Sequence, residues 1–409
     1  MKKLFAVFLG VLSAIGGFVD MGDLVANAEA GARFDMNLAW VVFVGVVGIV
    51  VYAEMAGRIA ACAGRPVFDL VRERLGPRFG MINLVASFAI NVLTLIAELA
   101  GVSIAISLVV SVNYLFLVPV VAFLVWLVVW RMRFSTMERV FGLAGLALIV
   151  FAVAVVRIGP DWSDMVDKIT HPSVPAGEGI PSYAFYGVAL FGAAMTPYEV
   201  FFFSSGAVED GWTAKDLGLN RANVYLGFPL GGLLSLAIMA SAHLLFSPTG
   251  ISVEHLSQVP LPVAAELGKL GLAAAILGIF AATFGAALET TLSAGYIVSQ
   301  YFGWEWGKYR PPRAAARFHV VMIVSLAIGV LVAISGVDPI KVTEYSIVLS
   351  AAALPLTYFP ILVIANDPNY MGERTNGRIL NGLATVYLGI LGVVGVAAIP
   401  LLIFTRGGQ

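Results

Sequence analysis

The sequence predicts an all-α polytopic membrane protein, made of two inverted repeats of five helices and one additional helix. Three observations lead to this fold class. Hydrophobic residues make up 60% of the 409 residues and charged residues only 12%, which is too apolar for a soluble domain of this length. Apolar stretches of about 20 residues, the length that a helix needs to cross a bilayer, recur eleven times. Two of these stretches are interrupted, and they lie five spans apart.

All eleven predicted spans are expected to be helices, because a backbone that faces lipid must satisfy its hydrogen bonds internally. The spans lie at 4–34 (interrupted), 38–61, 80–111, 114–130, 136–157, 182–207 (interrupted), 221–247, 263–301, 315–336, 339–365 and 379–404. The opening run with Lys2 and Lys3 also resembles a secretory signal peptide, with a cleavage site at Ala26-Asn27-Ala28. That interpretation is less favoured, because it removes a span that has a counterpart later in the chain.

The basic residues predict the orientation of the chain in the membrane. With the N-terminus in the cytoplasm, eighteen of the 24 Lys and Arg residues fall on the cytoplasmic side and six on the outer side, a clear positive-inside bias. We therefore expect a multi-pass protein of the plasma (inner) membrane, with its C-terminus outside. Of the connections, 66–76 is predicted to be a short amphipathic helix at the membrane interface and 158–181 a solvated loop.

The two interruptions contain the most informative residues. The first is Asp20-Met21-Gly22-Asp23 in span one, and the second is "AAMTPYE", residues 193–199, in span six. Pro197 removes a helix hydrogen bond, and Gly22 relaxes the backbone. Breaks at matching positions five spans apart indicate an inverted repeat with a substrate held between the unwound segments. We expect one transmembrane domain, 1–409, with repeat one at 1–157, repeat two at 182–365 and the additional helix at 379–404.

Two carboxylates at the first break indicate a bound cation. A charge at the bilayer centre costs about 2.5–3.5 kcal/mol, so Asp20 and Asp23 together require a compensating cation or water. Their spacing of three residues is expected to direct both side chains one way. A divalent metal would relieve their repulsion, and it would also accept unwound carbonyls near Met21 and Ala193 that otherwise lack partners.

At these residues the chain resembles the Nramp family of divalent-metal transporters, which have the leucine-transporter (LeuT) fold. The family's first broken helix carries Asp-Pro-Gly-Asn followed by small residues, and "DMGDLVANAEAG" has the same frame without gaps. Its sixth helix reads Gly-Ala-x-x-Met-Pro-His-Asn, and "GAAMTPYE" keeps that spacing. Further matches are "TLIAELAG", "ALETTLSAGYIVSQYF" and "LPLTYFPILVIANDPNYMGERTNGR". The resemblance covers nearly the whole chain and implies a LeuT-type fold with broken helices 1 and 6.

The departures from the family pattern resemble the branch known as Nramp-related magnesium transporters. The family's Pro and Asn of the first break are Met21 and Asp23 here. In the sixth helix, the metal-binding Met is Thr196, and the following His and Asn are Tyr198 and Glu199. By this resemblance, the expected metal-site residues are Asp20, Asp23, Ala193, Thr196, Tyr198 and Glu199.

The chemistry of these residues independently favours a hard ion. A thioether suits soft ions, whereas the hydroxyl of Thr196 leaves a site made only of oxygen atoms. Because Thr is shorter than Met, the sequence predicts a roomy, wet pocket. Mg²⁺ binds through one or two carboxylates and keeps most of its waters. Mn²⁺ also fits oxygen ligands, whereas Cd²⁺ and Ca²⁺ should be transported less well. A slip of the helix by one residue would bring the sulfur of Met195 into the site, an alternative that the fixed spacing from Gly192 to Pro197 disfavours.

Proton coupling is expected to be absent. In the family it relies on two histidines of the sixth helix and a carboxylate pair of the third. Here the histidine positions hold Tyr198 and Phe203, and one carboxylate position holds Leu95, with Glu98 kept. Neither Phe nor Leu can carry a proton, and Tyr, with a pKa of about 10, does so poorly near neutral pH. The sequence therefore predicts a uniporter for Mg²⁺ and also Mn²⁺ that works by alternating access.

Several alternatives stay open at this stage. A proton-coupled Mn²⁺/Fe²⁺ importer of the main Nramp type is the closest one. An amino-acid transporter is disfavoured because the aspartates would repel a carboxylate, and no catalytic motif supports an enzyme. The residues alone do not exclude a cation channel, and a slow, saturable flux would distinguish a carrier from a channel. Beyond the cation substrate and the lipid bilayer we expect no cofactor, no nucleic-acid partner and a monomer. Additional buried candidates are Glu29, Glu54, Glu98, Glu289, His243 and His319.

Overall fold

A computed structural model describes residues 18–408, and helices account for most of this range. The helices are numbered in chain order, and their bounds follow. They are α1 (Met21–Phe34), α2 (Ala39–Ala63), α3 (Val67–Leu75), α4 (Pro77–Val110), α5 (Tyr114–Arg131), α6 (Phe134–Gly145), α7 (Ile149–Ile158), α8 (Trp162–Thr170), α9 (Ile180–Ala194), α10 (Pro197–Glu209), α11 (Leu217–Phe246), α12 (Leu261–Phe302), α13 (Ala316–Ala333), α14 (Pro339–Ala365), α15 (Pro368–Met371) and α16 (Arg378–Phe404).

The predicted spans agree with these helices. Within the described residues, ten helical segments are long and apolar enough to cross a membrane, and they coincide with predicted spans two to eleven. The fifth span combines α6 and α7, and the sixth combines α9 and α10 across their interruption. Of the first span, α1 is described, whereas 4–17 and the start of the alternative signal peptide lie outside the described residues. The all-α polytopic fold class is therefore confirmed.

The two broken helices lie at the centre of the bundle. Every residue of α1 except Arg33 is buried, and 83% of the hydrophobic window of α9 and α10 is buried, against 17% for α16. In a membrane protein such burial means contact with other helices and not with lipid. The packing of α1 on α11 is so close that a Cβ atom on Gly31 would lie 2.1 Å from the carbonyl oxygen of Met239. A glycine is required there.

The connections agree with the sequence analysis in one case and differ in the other. The predicted amphipathic helix is α3, and its apolar face packs into the bundle, where the ring of Phe68 lies 4.9 Å from that of Phe201. The predicted loop 158–181 instead contains α8, so that prediction is wrong over nine residues. Asp161 caps this helix by accepting the backbone N–H groups of Ser163 and Asp164. Capping thus stabilises a short amphipathic helix whose apolar residues are too few and too scattered to form a membrane-span-like stretch.

Glu54, a candidate from the sequence, forms a buried ion pair with Arg58 within α2. The Arg58 Nε atom lies 3.1 Å from Glu54 Oε2, and both side chains are almost completely buried. Arg58 also donates to the carbonyl oxygen of Arg374 at 2.5 Å and to Oδ1 of Asn376 at 2.6 Å. The pair therefore ties α2 to the segment between α15 and α16, which indicates a structural role for Glu54.

Replacing Arg58 should destabilise the protein strongly. Arg58→Ala leaves the Glu54 carboxylate buried without its main partner, and breaking such a pair costs about 3–5 kcal/mol. Thermal unfolding in detergent measures the loss. The matched control is Arg65→Ala, because the pairs of Arg65 with Asp69 and Glu73 are partly exposed to solvent and worth about 0–1 kcal/mol. Equal melting temperatures of the two variants would contradict the expectation.

Candidate functional site

The first interruption lies directly before α1. Asp20 has an extended backbone (φ −108°, ψ −175°), and its Oδ1 atom caps the helix by accepting the N–H of Asp23 at 2.8 Å. A break in span one is thus present, but it comes earlier than predicted, because Met21, Gly22 and Asp23 are already helical. The backbone at Gly22 packs closely against its neighbours. A Cβ atom added at this position would lie 3.1 Å from both Asp20 Oδ1 and Ile347 Cγ1.

The second interruption separates α9 from α10. Met195 and Thr196 have non-helical backbones, and α10 begins at Pro197, where a missing N–H costs nothing. The hydroxyl of Thr196 donates to the carbonyl oxygen of Ala193 at 2.7 Å, and Tyr358 donates to that of Met195 at 3.2 Å. The expectation that carbonyls here lack partners is therefore wrong. The broken turn recruits hydroxyl groups to replace its helix hydrogen bonds.

The two interruptions meet at a cavity of about 20 Å³. The breaks contribute Asp20, Gly22, Gly192, Ala193 and Thr196 to its lining. This volume holds about one water molecule, so the predicted roomy pocket is wrong for this conformation. The reason is the tight packing of α14 on both breaks, where a Cβ atom on Gly192 would lie only 2.8 Å from the carbonyl oxygen of Ile347.

The opposite wall of the cavity comes from α4 and α14. From α4 it receives Thr94, Ala97 and Glu98, and from α14 it receives Thr343, Ser346, Ile347 and Ser350. The sequence analysis singled out only Glu98 of this wall. The signal that it missed is the spacing of the three α14 hydroxyl residues, which places them on one helix face. Within residues 18–408, no group of three or more His, Cys, Asp and Glu side chains has a metal-binding arrangement.

Asp20 and Asp23 do not point the same way. Asp20 lines the cavity, and its Oδ2 atom accepts the hydroxyl of Tyr198 at 3.2 Å. The carboxylate of Asp23 instead accepts the hydroxyl of Ser235 on α11 and, at 2.9 Å, the amide of Asn27. The helical rule behind the expectation does not apply, because Asp20 is extended and only Asp23 is in the helix.

The remaining predicted site residues surround the cavity without lining it. Tyr198 holds Asp20 from the first turn of α10, and Glu199 shares a hydrogen bond with Glu289 of α12. Of the six predicted residues, the structure thus brings Asp20, Ala193 and Thr196 together in one cavity. Asp23, Tyr198 and Glu199 are neighbours of that group.

No sulfur atom reaches the cavity among the described residues that line it. The side chain of Met195 points toward α2, where a Cβ atom on Gly48 would lie 2.6 Å from its sulfur. The sulfur of Met21 packs toward Gly101 of α4. The structure therefore does not have the slipped helix that would place Met195 in the site.

A second cavity, of about 400 Å³, lies at the end of the bundle where α1 terminates. Glu29 and Glu344 contribute to it, together with Arg33, whose Nη2 atom pairs with Glu178 Oε2 at 2.8 Å. Nearby, Asp35 accepts hydrogen bonds from His243 and from the hydroxyl of Ser247. His243 is thus a structural residue here.

Comparisons with known proteins place the chain in a family. The Nramp family profile, described as natural resistance-associated macrophage protein-like, matches residues 10–401. The chain is 26% identical over 393 residues to the divalent metal cation transporter MntH of Erwinia tasmaniensis, covering 93% of this chain and 90% of the relative. A similar relative is MntH of Klebsiella pneumoniae, also 26% identical, with 92% and 89% covered.

Solved structures have the same fold. The manganese transporter of Eremococcus coleocola, in complex with an aromatic bis-isothiourea compound, superimposes with a TM-score of 0.74 at 19% identity, covering 100% of this chain and 88% of that one. Mhp1, a nucleobase-cation-symport-1 family transporter, gives a TM-score of 0.62 at 14% identity, with 98% and 91% covered. The LeuT-type fold is thereby confirmed. The chain belongs to the Nramp family and is a multi-pass membrane transporter of divalent metal cations, not an enzyme.

Proposed function

We propose that the protein is a uniporter for Mg²⁺, and also Mn²⁺, that works by alternating access without proton coupling. The observation that carries the proposal is the chemistry of the central cavity, where Asp20 and the hydroxyl of Thr196 face a lining without sulfur. Mg²⁺ is a hard ion that prefers oxygen ligands, so the donor set suits it better than it suits soft ions.

The geometry of Thr196 supports a role as a metal-facing group. Its hydroxyl proton is donated to the carbonyl oxygen of Ala193, so the oxygen lone pairs remain available as acceptors. We propose Asp20, Ala193 and Thr196 as the residues nearest the ion. Tyr198 orients Asp20, and Asp23 and Glu199 add negative charge around the site. Asp23 could contact the ion directly if its hydrogen bond with Ser235 broke.

The narrow cavity implies that loading requires movement. Mg²⁺ usually keeps several of its waters, whereas the present cavity holds about one. We therefore propose that this conformation is closed, and that α14 separates from the two breaks when the ion binds. Alternating access in this fold moves helices around a fixed central site, which is consistent with such a separation.

The absence of proton coupling is supported by the residues at the family's histidine positions. The ring of Phe203 packs against those of Trp212 and Phe228, at centroid distances of 5.8 and 6.4 Å. The hydroxyl of Tyr198 donates a hydrogen bond to Asp20. Uptake would then be driven by the metal gradient and by the membrane potential, which contributes about 2.3 kcal/mol per charge per 100 mV.

A proton-coupled Mn²⁺/Fe²⁺ importer is the second candidate. Two observations favour it, namely the manganese transporter among the similar structures and the buried carboxyl groups of Glu98, Glu199 and Glu289. The missing thioether and histidines count against it.

Uptake into proteoliposomes with an internal pH dye tests both candidates. We expect saturable Mg²⁺ and Mn²⁺ uptake that accelerates with an inside-negative potential, while the internal pH stays constant. Protein-free liposomes give the background, and addition of a protonophore checks that the dye responds. Internal acidification in step with metal uptake would establish the second candidate, and failure to take up Mg²⁺ would refute the first.

We also propose the arrangement of the chain in the cell. The distribution of Lys and Arg supports a plasma-membrane protein with a cytoplasmic N-terminus and an outer C-terminus. The repeats then span 1–157 and 182–365, with 379–404 as the additional helix of a single domain. We propose that it acts as a monomer. The 400 Å³ cavity beside Glu29 would lie on the outer side, on the access path of the ion.

A further inference from the structure

We propose that α4 and α14 form the second half of the cation site, a wall that binds the water shell of the ion. The wall consists of Glu98, Thr94, Thr343, Ser346 and Ser350, and we call it the hydroxyl wall. This inference rests on the proposed transport of a hydrated cation. The residues proposed to bind the water molecules of the ion line the same cavity as Asp20.

The hydroxyl wall is built to accept hydrogen bonds. Thr94 and Ser346 lie 3.0 Å apart and bridge α4 to α14, so one of these two hydroxyl groups donates to the other. Thr343 donates its proton to the carbonyl oxygen of Pro339, which leaves its lone pairs free. Water bound to a cation directs its hydrogen atoms outward, so a surrounding wall must offer acceptors. All four hydroxyl side chains are buried, which means that they are not exposed to bulk solvent.

Glu98 is the independent observation that points to a ligand. Its side chain is fully buried, and its Oε1 atom accepts the N–H of Met21 at 2.9 Å. Its Oε2 atom is buried and accepts no hydrogen bond from the described residues. Buried carboxylate oxygens without donors are rare because they are costly. Since Glu98 lines the cavity, a water of the bound ion is the donor that fits.

The two sides of the cavity would then have different roles. Asp20 and Thr196 supply charge and the nearest oxygen atoms, and the hydroxyl wall contacts the waters that the ion keeps. Mg²⁺ gives up its waters reluctantly. Recognition of those waters should therefore favour Mg²⁺ over an ion that sheds water more readily, such as Mn²⁺.

The experiment compares Mg²⁺ with Mn²⁺ uptake in proteoliposomes for Ser346→Ala/Ser350→Ala and for Glu98→Gln. Glu98→Gln keeps an acceptor for Met21 but replaces the second oxygen with an amide donor. Each variant is expected to lower the ratio of Mg²⁺ to Mn²⁺ uptake about tenfold, since each removes acceptors for the waters of the ion. The controls are Ser103→Ala on α4 and Thr357→Val on α14, both buried and outside the cavity lining. They should leave the ratio unchanged.

The outcomes separate this inference from the proposed function. Wild-type protein that takes up Mn²⁺ but no Mg²⁺ would overturn both. If the wild type takes up Mg²⁺ and the wall variants keep its uptake ratio, or lose both ions equally, only the hydroxyl wall is refuted. The Mn²⁺ flux shows in the same vesicles that a variant is folded. Should the double variant fail to insert, Ser346→Ala and Ser350→Ala alone are each expected to lower the ratio about threefold.

Discussion

Asp20→Asn is expected to abolish saturable uptake of divalent cations, lowering it at least about 100-fold toward the level of protein-free liposomes. Asp20 is the one aspartate that lines the central cavity. Two unit charges 4 Å apart attract each other by about 4 kcal/mol at an effective dielectric constant near 20, and a factor of ten in affinity corresponds to about 1.4 kcal/mol. Removing this charge beside a dication should therefore weaken ion binding more than any other single substitution at the site.

The asparagine variant isolates charge from structure. The amide oxygen of asparagine can still accept the N–H of Asp23 and so keep the cap of α1. The amide NH2 then takes the place of Oδ2, and it can donate to the hydroxyl oxygen of Tyr198, so the contact with α10 is retained with its direction reversed. Because a buried carboxylate is costly without its cation, the metal-free variant should melt at the same temperature as the wild type or higher.

Metal uptake and melting temperature of the same preparation check this expectation. Asp69→Asn is the matched control, since Asp69 is a carboxylate on α3 that pairs with Arg65 and lies outside the cavity lining. It should transport normally. An Asp20→Asn protein that keeps uptake within a few-fold of the wild type would remove Asp20 from the site.

The sequence alone predicted the fold because the membrane imposes simple rules. Apolar length identified every span from 38–61 onward, and two matching interruptions identified the central helices. It failed where the signal was local and polar. Helix α8 is nine residues long, and its apolar residues Trp162, Met165, Val166 and Ile169 recur at helical spacing among charged ones, so it gave no long apolar stretch to detect.

The site was predicted in part, and the reason lies in backbone geometry. Residue types identified Asp20 and the unwound backbone near Ala193, and the resemblance to the Nramp family added Thr196. These three residues do share a cavity. The direction of Asp23 depends on Asp20 being extended instead of helical, which spacing cannot reveal. The volume of the cavity depends on how closely α14 approaches Gly22 and Gly192. Such tertiary contacts are also what unite Thr94 with Ser346, two residues that are far apart in the chain.

Thr196→Met should change which ions the protein transports. The sulfur would replace the only hydroxyl that the second break places in the cavity, and the longer side chain would occupy a space that holds about one water. Since a thioether is a soft ligand, we expect Mg²⁺ uptake to fall at least about tenfold, Mn²⁺ uptake to persist, and Cd²⁺ uptake to rise.

Two smaller changes separate the effect of sulfur from the loss of the hydroxyl. Thr196→Ser keeps the donor to the carbonyl oxygen of Ala193 and an oxygen in the cavity, so Mg²⁺ uptake should stay close to the wild-type rate. Thr196→Val removes the hydroxyl at nearly constant volume, so it should lower Mg²⁺ uptake without raising Cd²⁺ uptake. Competition assays with the three ions measure these differences. Selectivity would have to arise elsewhere if Thr196→Met left Mg²⁺ uptake unchanged, because the thioether would then be compatible with a hydrated hard ion.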